Sequence, residues 1–271
     1  MELNQKDFQK LSRLIYDQSG ISLNDGKKEL VKARLGKRLK EGNFASFADY
    51  YRYITTEEGQ NELILMLDSI STNLTYFFRE SAHFDKLRLI IPPIMNAKRF
   101  DRQQRFQIWS AACSSGEEPY SLGIFLKELL AEKANYVSIL ATDISTRVLK
   151  TAIQGIFPKD RMKNVSDPIL KKYFQYGSGK RAGFFRVKED IRNMVRFQRF
   201  NLMMPPPSDF TSDIIFCRNV MIYFDKQTQE KLVNRLYKTL NTGGYFFIGH
   251  SESLTGLEHP FKYIGPSIYQ K

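Results

Sequence analysis

The chain has 271 residues, 42% apolar and 26% charged, enough to bury one large core or two modest ones in an ordinary globular protein. No run of about 18 apolar residues exists, and Met1 to Lys10 is polar without a signal-peptide core. A membrane span and secretion are therefore not expected, and the chain reads as cytoplasmic. The net charge of +12 suits an anionic partner (nucleic acid, acidic membrane or acidic protein surface) or serves solubility alone.

Residues 1–70 balance at eleven basic and eleven acidic side chains, so residues 71–271 hold the whole excess, 30 basic against 18 acidic. Cys113 and Cys217 are expected as free thiols near the loops described below. With His83, His250 and His259 they show no ligand spacing, so no metal is expected. The sequon Asn73-Leu74-Thr75 carries no weight without secretion.

Residues 4–70 read as helices. Phe8, Leu11, Leu14 and Ile15 recur at helical spacing, and Ser19-Gly20 ends the run. A second helix spans about Asp25–Lys40, and Ser46–Thr55 and Glu58–Ile70 give two more. In the second, Lys27, Arg34 and Arg38 fall within roughly a 40° arc beside a Val31, Leu35, Leu39 stripe. Residues 27–40 hold seven basic residues against Glu29. This is either a solvated face or a docking face for an acidic helix.

From Phe106 the pattern changes. A strand at Phe106–Ser110, a small-residue loop to Gly116, a helix at Glu117–Glu132 and a strand at Val137–Thr142 form a βαβ unit with a parallel sheet. A helix follows at Ser145–Gln154. Strands follow at about Val195–Phe200 and Ile214–Cys217, after which come a helix at about Lys226–Leu240, a strand at Tyr245–Gly249 and a last strand ending near Tyr269. Residues 158–190 interrupt the alternation as strand, turn, strand, a small antiparallel insert. Pro205-Pro206-Pro207 is a stiff connector.

The loop before Glu117 has one glycine where a dinucleotide fingerprint wants three, and no phosphate-cradling Gly-Lys-Ser/Thr. Glu117-Glu118 would repel a phosphate and suit an ammonium, or else complement the helix dipole. Asp143, at the end of the second strand, suits ribose hydroxyls or caps the next helix. An amino-acid cation at one loop and a ribose at the next describe S-adenosylmethionine. Gly249-His250-Ser251 lacks the final glycine of a nucleophile elbow.

Asn73-Leu74-Thr75-Tyr76-Phe77-Phe78-Arg79-Glu80 joins an aromatic triplet to polar groups, a segment that packs and presents a ligand-facing edge. It resembles the N-x-T-x-F-F-R-E signature of the bacterial chemotaxis receptor methyltransferases. Trp109 to Ser121 is similar to that family's W-S-A-A-x-S-x-G-E-E-P-Y-S. Phe216 to Phe224 is similar to its F-C-R-N-V-M-I-Y-F, and Gly249 to Glu252 to its G-H-S-E. The four matches stand in the family's order and span most of the chain.

The resemblance implies a class I, Rossmann-like α/β methyltransferase fold: a mostly parallel sheet, a small antiparallel β insert and an N-terminal all-α domain, divided as 1–72 and 73–271. It implies S-adenosyl-L-methionine as cofactor, S-adenosyl-L-homocysteine as product, and methyl esterification of chemoreceptor glutamates for sensory adaptation. Asn73, Thr75, Arg79, one of Glu117 and Glu118 (by spacing Glu118), Asp143, Asn201, Leu202, Arg218 and Asn219 would contact the cofactor. Arg79 and Tyr223 would lie nearest the reacting centre.

The partner implied is the cytoplasmic helical bundle of a receptor, at membrane arrays, with the protein a monomer. Tyr173-Phe174-x-x-Gly177-x-Gly179-x-x-x-Gly183 keeps the glycine spacing of members that tether a receptor's C-terminal peptide at the insert's edge. Tyr176 departs from that pattern where a basic residue is expected. The other reading is a class I methyltransferase acting on nucleic acid or another protein, although no aromatic–basic single-strand platform is evident.

Overall fold

The computed structural model describes residues 1–97, 105–207 and 209–271. Four helices open the chain: α1 (Gln5–Ser19), α2 (Lys28–Glu41), α3 (Phe47–Ile54) and α4 (Gln60–Ile70). Their apolar stripes meet in one cluster that buries Phe8, Leu11 and Ile15 of α1 against Val31, Leu35 and Leu39 of α2 and Leu63 and Met66 of α4. Asn4 caps α1 by accepting from the Asp7 N–H, and Gly20 closes it in the left-handed region at φ 74. Ser46 caps α3 through the Asp49 N–H.

Next come α5 (Ser81–Ala97), β1 (Phe106–Ala111), α6 (Glu117–Leu130), β2 (Val137–Asp143) and α7 (Thr146–Gln154). Helix α5 has no counterpart in the sequence reading, because its Pro92-Pro93 pair breaks the helical signal. The insert holds β3 (Ile156–Pro158), α8 (Asp167–Tyr173), β4 (Phe174–Tyr176) and β5 (Phe184–Val187). The body resumes with α9 (Glu189–Arg192), β6 (Val195–Arg199), β7 (Ser212–Cys217), α10 (Lys226–Thr239), β8 (Leu240–Phe247), β9 (Lys262–Gly265) and β10 (Ile268–Gln270).

The main sheet runs β6-β2-β1-β7-β8-β10-β9. Strands β6, β2, β1, β7 and β8 are parallel, and β10 is antiparallel to both β8 and β9. The chain winds outward from β1 in both directions, so a crevice opens at the carboxyl ends beside β1. All six residues of β7 are buried, as covered parallel strands require. The expected mostly parallel sheet is therefore present, with two closing strands instead of one.

The insert forms its own antiparallel sheet, β3-β5-β4. It contains the two expected strands and adds β3, which at three residues is too short to carry a pattern. The N-terminal helices dock on the body through a buried carboxylate. Asp68 accepts from the Thr146 N–H and hydroxyl and the Arg147 N–H, at 3.1, 2.9 and 3.2 Å, and so caps α7. The Ser22 N–H donates to the Tyr223 carbonyl at 2.8 Å. Among the described residues, no helix is long and apolar enough to cross a membrane.

Candidate functional site

A cavity of about 1000 Å³, counting the part open to solvent, lies at the carboxyl ends of β1, β2, β6 and β7. The N-terminal helices supply Ser19, Ile21, Ile70, Ser71 and Thr72 as one wall. Every expected cofactor residue lines it except Glu117, and Tyr223 lines it too.

The segment from Asn73 to Glu80 enters the site by sending its three aromatics in different directions. Phe77 is fully buried and packs edge-on against Phe157 and Phe174, with centroids 5.0 and 5.5 Å away. Phe78 packs on Phe84, while its N–H donates to the Ser121 hydroxyl. Tyr76 stays partly exposed beneath the Arg79 guanidinium. Phe78 and Glu80 both adopt positive φ, 54° and 59°. Such turns let consecutive side chains serve core and cavity alternately.

The loop after β1 is also contorted: Ala112, Ser114 and Gly116 all have positive φ. A Cβ on Gly116 would lie 2.9 Å from that of Ala152, so glycine admits α7 here. Asp143 is nine-tenths buried. It accepts from the Ser114 N–H and the Ser145 N–H, each at 2.9 Å. It therefore fixes the loop and borders the cavity with the remaining lone pairs. Burial raises its pKa against these bonds.

An ion network forms the other end. Arg218, whose side chain is 2% exposed, lies between Glu80 at 3.2 Å and Glu118 at 3.5 Å and donates to the Arg79 carbonyl at 2.7 Å. Glu118 also accepts from the Ser110 hydroxyl at 2.6 Å. Burial pushes the Glu118 carboxyl up, with Arg218 opposing. Glu80 is pushed up by burial, but Arg218, the His250 N–H and Asn219 outweigh this and hold it below the ordinary carboxylate range. Arg79 donates to the Leu74 carbonyl at 3.0 Å and sits 3.9 Å from Glu80.

Of the two adjacent glutamates, Glu118 faces the cavity. Glu117 is 1% exposed, accepts from the Ser115 hydroxyl and pairs with Arg161 at 3.2 Å. Asn73 and Thr75 are held by their backbones: the Ser114 hydroxyl donates to the Asn73 carbonyl and Arg161 to the Thr75 carbonyl. The Asn201 amide donates to the Gln18 carbonyl and accepts from the Met203 N–H, so its side chain is engaged by the protein. Leu202 offers a buried apolar wall. Both cysteines are free and buried; Cys113 lines the cavity and Cys217 does not.

On the expected docking face, the two arginines are also engaged within the protein. Arg34 donates to the Ile70 carbonyl and, at 3.0 Å, to the Thr72 hydroxyl. Arg38 is paired with Glu41 and Glu62, and Glu62 also accepts from Tyr50. Arg34 ties α2 to the end of α4 and the segment after it, and Arg38 ties α2 to Glu62 in the first turn of α4. Lys27, Lys37 and Lys40 remain exposed. In the insert, Gly179 and Gly183 have positive φ, and a Cβ on Gly177 would lie 2.0 Å from the Arg181 carbonyl oxygen. The turn itself calls for glycine at these positions.

Glu80, Glu252, His83 and His250 lie at or behind the site but were given no role there from sequence, although both glutamates stand in matched segments. Glu80 joins Arg218, Asn219 and the His250 N–H. Glu252 underlies the loop after β7. Although spacing gave no ligand set, His83 and His250 come together with Glu80, ligand atoms within 4.8 Å. Arg218 already pairs with that carboxylate, and its charge opposes a metal cation there. His83 is buried with neither ring nitrogen bonded, and burial together with Arg218 pushes its pKa down to about 3.

Comparison with known proteins gives two family matches. The family described as CheR methyltransferase, SAM binding domain, matches residues 73–269, and CheR methyltransferase, all-alpha domain, matches residues 6–71. A chemotaxis protein methyltransferase of Borreliella burgdorferi is 40% identical, covering 100% of this chain and 96% of its own. Chemotaxis protein methyltransferase 2 of Pseudomonas aeruginosa is 40% identical, over 97% and 92%. The chemotaxis protein methyltransferase of Escherichia coli is 36% identical, over 99% and 92%.

Proposed function

The chain belongs to the CheR methyltransferase family, and from that premise we propose that it esterifies glutamate side chains on the cytoplasmic helical bundle of chemoreceptors. It is a methyltransferase whose cofactor is S-adenosylmethionine. The observation that carries the reading is the donor set of the cavity: a carboxylate and a guanidinium at one end, Asp143 at the other, and Phe200 and Leu202 between the walls.

That set fits the cofactor. Glu118 would hold its ammonium, Arg218 its carboxylate and Asp143 its ribose hydroxyls, while Leu202 and Phe200 would border the base. When bound, the cofactor supplies a methyl group on a sulfonium, a strong electrophile. The chain's own task is then modest. A glutamate of pKa about 4.3 is already ionised at neutral pH, so no strong base is required. Arg79 and Tyr223 orient the acceptor carboxylate and exclude water from it. An arginine that gripped too tightly would stabilise the ground state, and Arg79 is already engaged by Leu74 and Tyr76.

We divide the roles at residue 72. Residues 1–72 wall the cavity and approach the receptor through the exposed lysines of α2; residues 73–271 carry the chemistry. The outer edge of β4 is open to pair with a tethering peptide. The protein acts as a cytoplasmic monomer at receptor arrays. The test uses methyl-labelled cofactor with a receptor cytoplasmic fragment and, separately, with RNA. Alkali-labile label on the receptor and none on RNA is expected. Label on RNA alone contradicts the proposal.

A further inference from the structure

We propose that Glu252 is a positioning residue for methyl transfer, fixing the Arg218–Tyr223 loop from behind without touching either reactant. The proposal rests on the reading above that this loop serves cofactor and acceptor. Glu252 follows β8, whereas the loop follows β7. The residue is 9% exposed and lies outside the cavity lining.

Its carboxylate accepts four backbone N–H groups. One oxygen takes Gly249 at 2.6 Å and Asn219 at 2.8 Å. The other takes Met221 at 2.8 Å and Ile222 at 3.3 Å. Bonds to an ionised acceptor are roughly twice as strong as neutral ones. They brace Asn219 at φ 58, a left-handed conformation that asparagine tolerates better than most residues.

Gly249 makes this closure possible. A Cβ there would lie 2.4 Å from the Asn219 amide nitrogen and 2.9 Å from the Glu252 carboxylate. With the loop so held, the Asn219 amide reaches Glu80 at 3.3 Å. Val220 and Tyr223 then stand in the cavity wall. Removing the carboxylate deprives the Asn219, Met221 and Ile222 N–H groups of their charged acceptor. Asn219 is then released toward ordinary φ, and Tyr223 moves with it.

The test is a double-mutant cycle of Glu252→Gln with Tyr223→Phe, assayed on the receptor fragment, with thermal unfolding run alongside. Glu252→Gln should lower kcat by about 10- to 100-fold, the scale of a small misplacement. The KM for receptor should move by less than about threefold. The double variant should be little slower than the slower single, because both act through one loop. Wild-type kcat in Glu252→Gln, or losses that multiply in a folded double variant, overturns the proposal.

If Glu252→Gln does not fold, Glu252→Asp, which keeps the charge and shortens the reach, carries the same cycle. A wild-type protein that esterifies no receptor would fail the functional reading instead. In that event S-adenosylhomocysteine affinity by calorimetry decides the positioning role. A fall of about three- to tenfold in Glu252→Gln supports it, and unchanged affinity overturns it.

Discussion

Arg38 and Arg218 are each clamped between two carboxylates, one in the N-terminal helices and one in the α/β body. Arg38 ties α2 to α4 through Glu62 and lies outside the cavity. The Glu62 bond holds its pKa above the ordinary value. Arg218 is more deeply buried, lines the cavity and keeps its Nε without a hydrogen-bond partner. Similar ion pairs thus make a brace in one region and part of a cavity wall in the other, where the proposed function gives Arg218 the cofactor's carboxylate. What separates them is position: only Arg218 follows a parallel strand at the sheet's reversal.

The largest effect should come from Arg218→Ala, which leaves Glu80 and Glu118 without their buried partner. Breaking such a pair costs about 3–5 kcal/mol of stability, and losing a charge-assisted contact of about 2–3 kcal/mol to the ligand should lower S-adenosylhomocysteine affinity about 100-fold by calorimetry. Arg218→Lys should recover only part, lacking the planar fork. Affinity near wild type in Arg218→Ala would erase the contrast with Arg38.

Next, Asp143→Ala should weaken binding of the same product by about 1.5–3 kcal/mol, the scale of bonds to a charged group. Glu117→Gln should leave that affinity alone, since Glu117 faces Arg161 instead of the cavity. Equal losses in the two variants would remove the distinction between the neighbouring glutamates and Asp143.

Arg38→Ala should act on stability alone, lowering the unfolding free energy in urea by about 1–2 kcal/mol, discounted for its partial exposure. Its product affinity and kcat should match wild type. A turnover defect in a folded Arg38→Ala protein would mean that the brace also serves the site.

The smallest effect concerns pH. His83 titrates near 6.5 when unfolded and about 3 when folded. The unfolded chain therefore binds the extra proton between these values, and stability falls as pH drops. From pH 7 to 5.5 the loss should be about 1 kcal/mol. The raised Glu118 carboxyl works in the opposite sense. Comparing His83→Phe with wild type isolates the histidine, and an unchanged pH slope would contradict its neutral burial.

Much of the cavity was legible because its residues sit in contiguous runs beside strand ends. Asn73–Glu80, the loop before Glu117, Asp143 and Phe216–Phe224 each carry a local pattern. What stayed hidden depends on contacts between distant segments. Glu252 stands in the matched Gly249–Glu252 segment, but its role appears only when β8 places it under the loop of β7. The basic arc on α2 was visible on a helical wheel, but the wheel does not contain the carbonyl of Ile70 or the side chain of Glu62. The fold was legible wherever periodicity ran long enough. It was lost at the three-residue β3 and at Pro92-Pro93 of α5.

In the proposed function a glutamate carboxylate takes its methyl group from a cofactor held by Arg218, Glu118 and Asp143. Mass-spectrometric mapping of a receptor fragment after reaction tests it most directly. Methyl groups are expected on glutamate side chains of the helical bundle, removed by mild alkali and sharply reduced when Asp143→Ala is assayed at limiting cofactor. Methylation confined to lysine, arginine or nucleic acid, or stable to alkali, would contradict it.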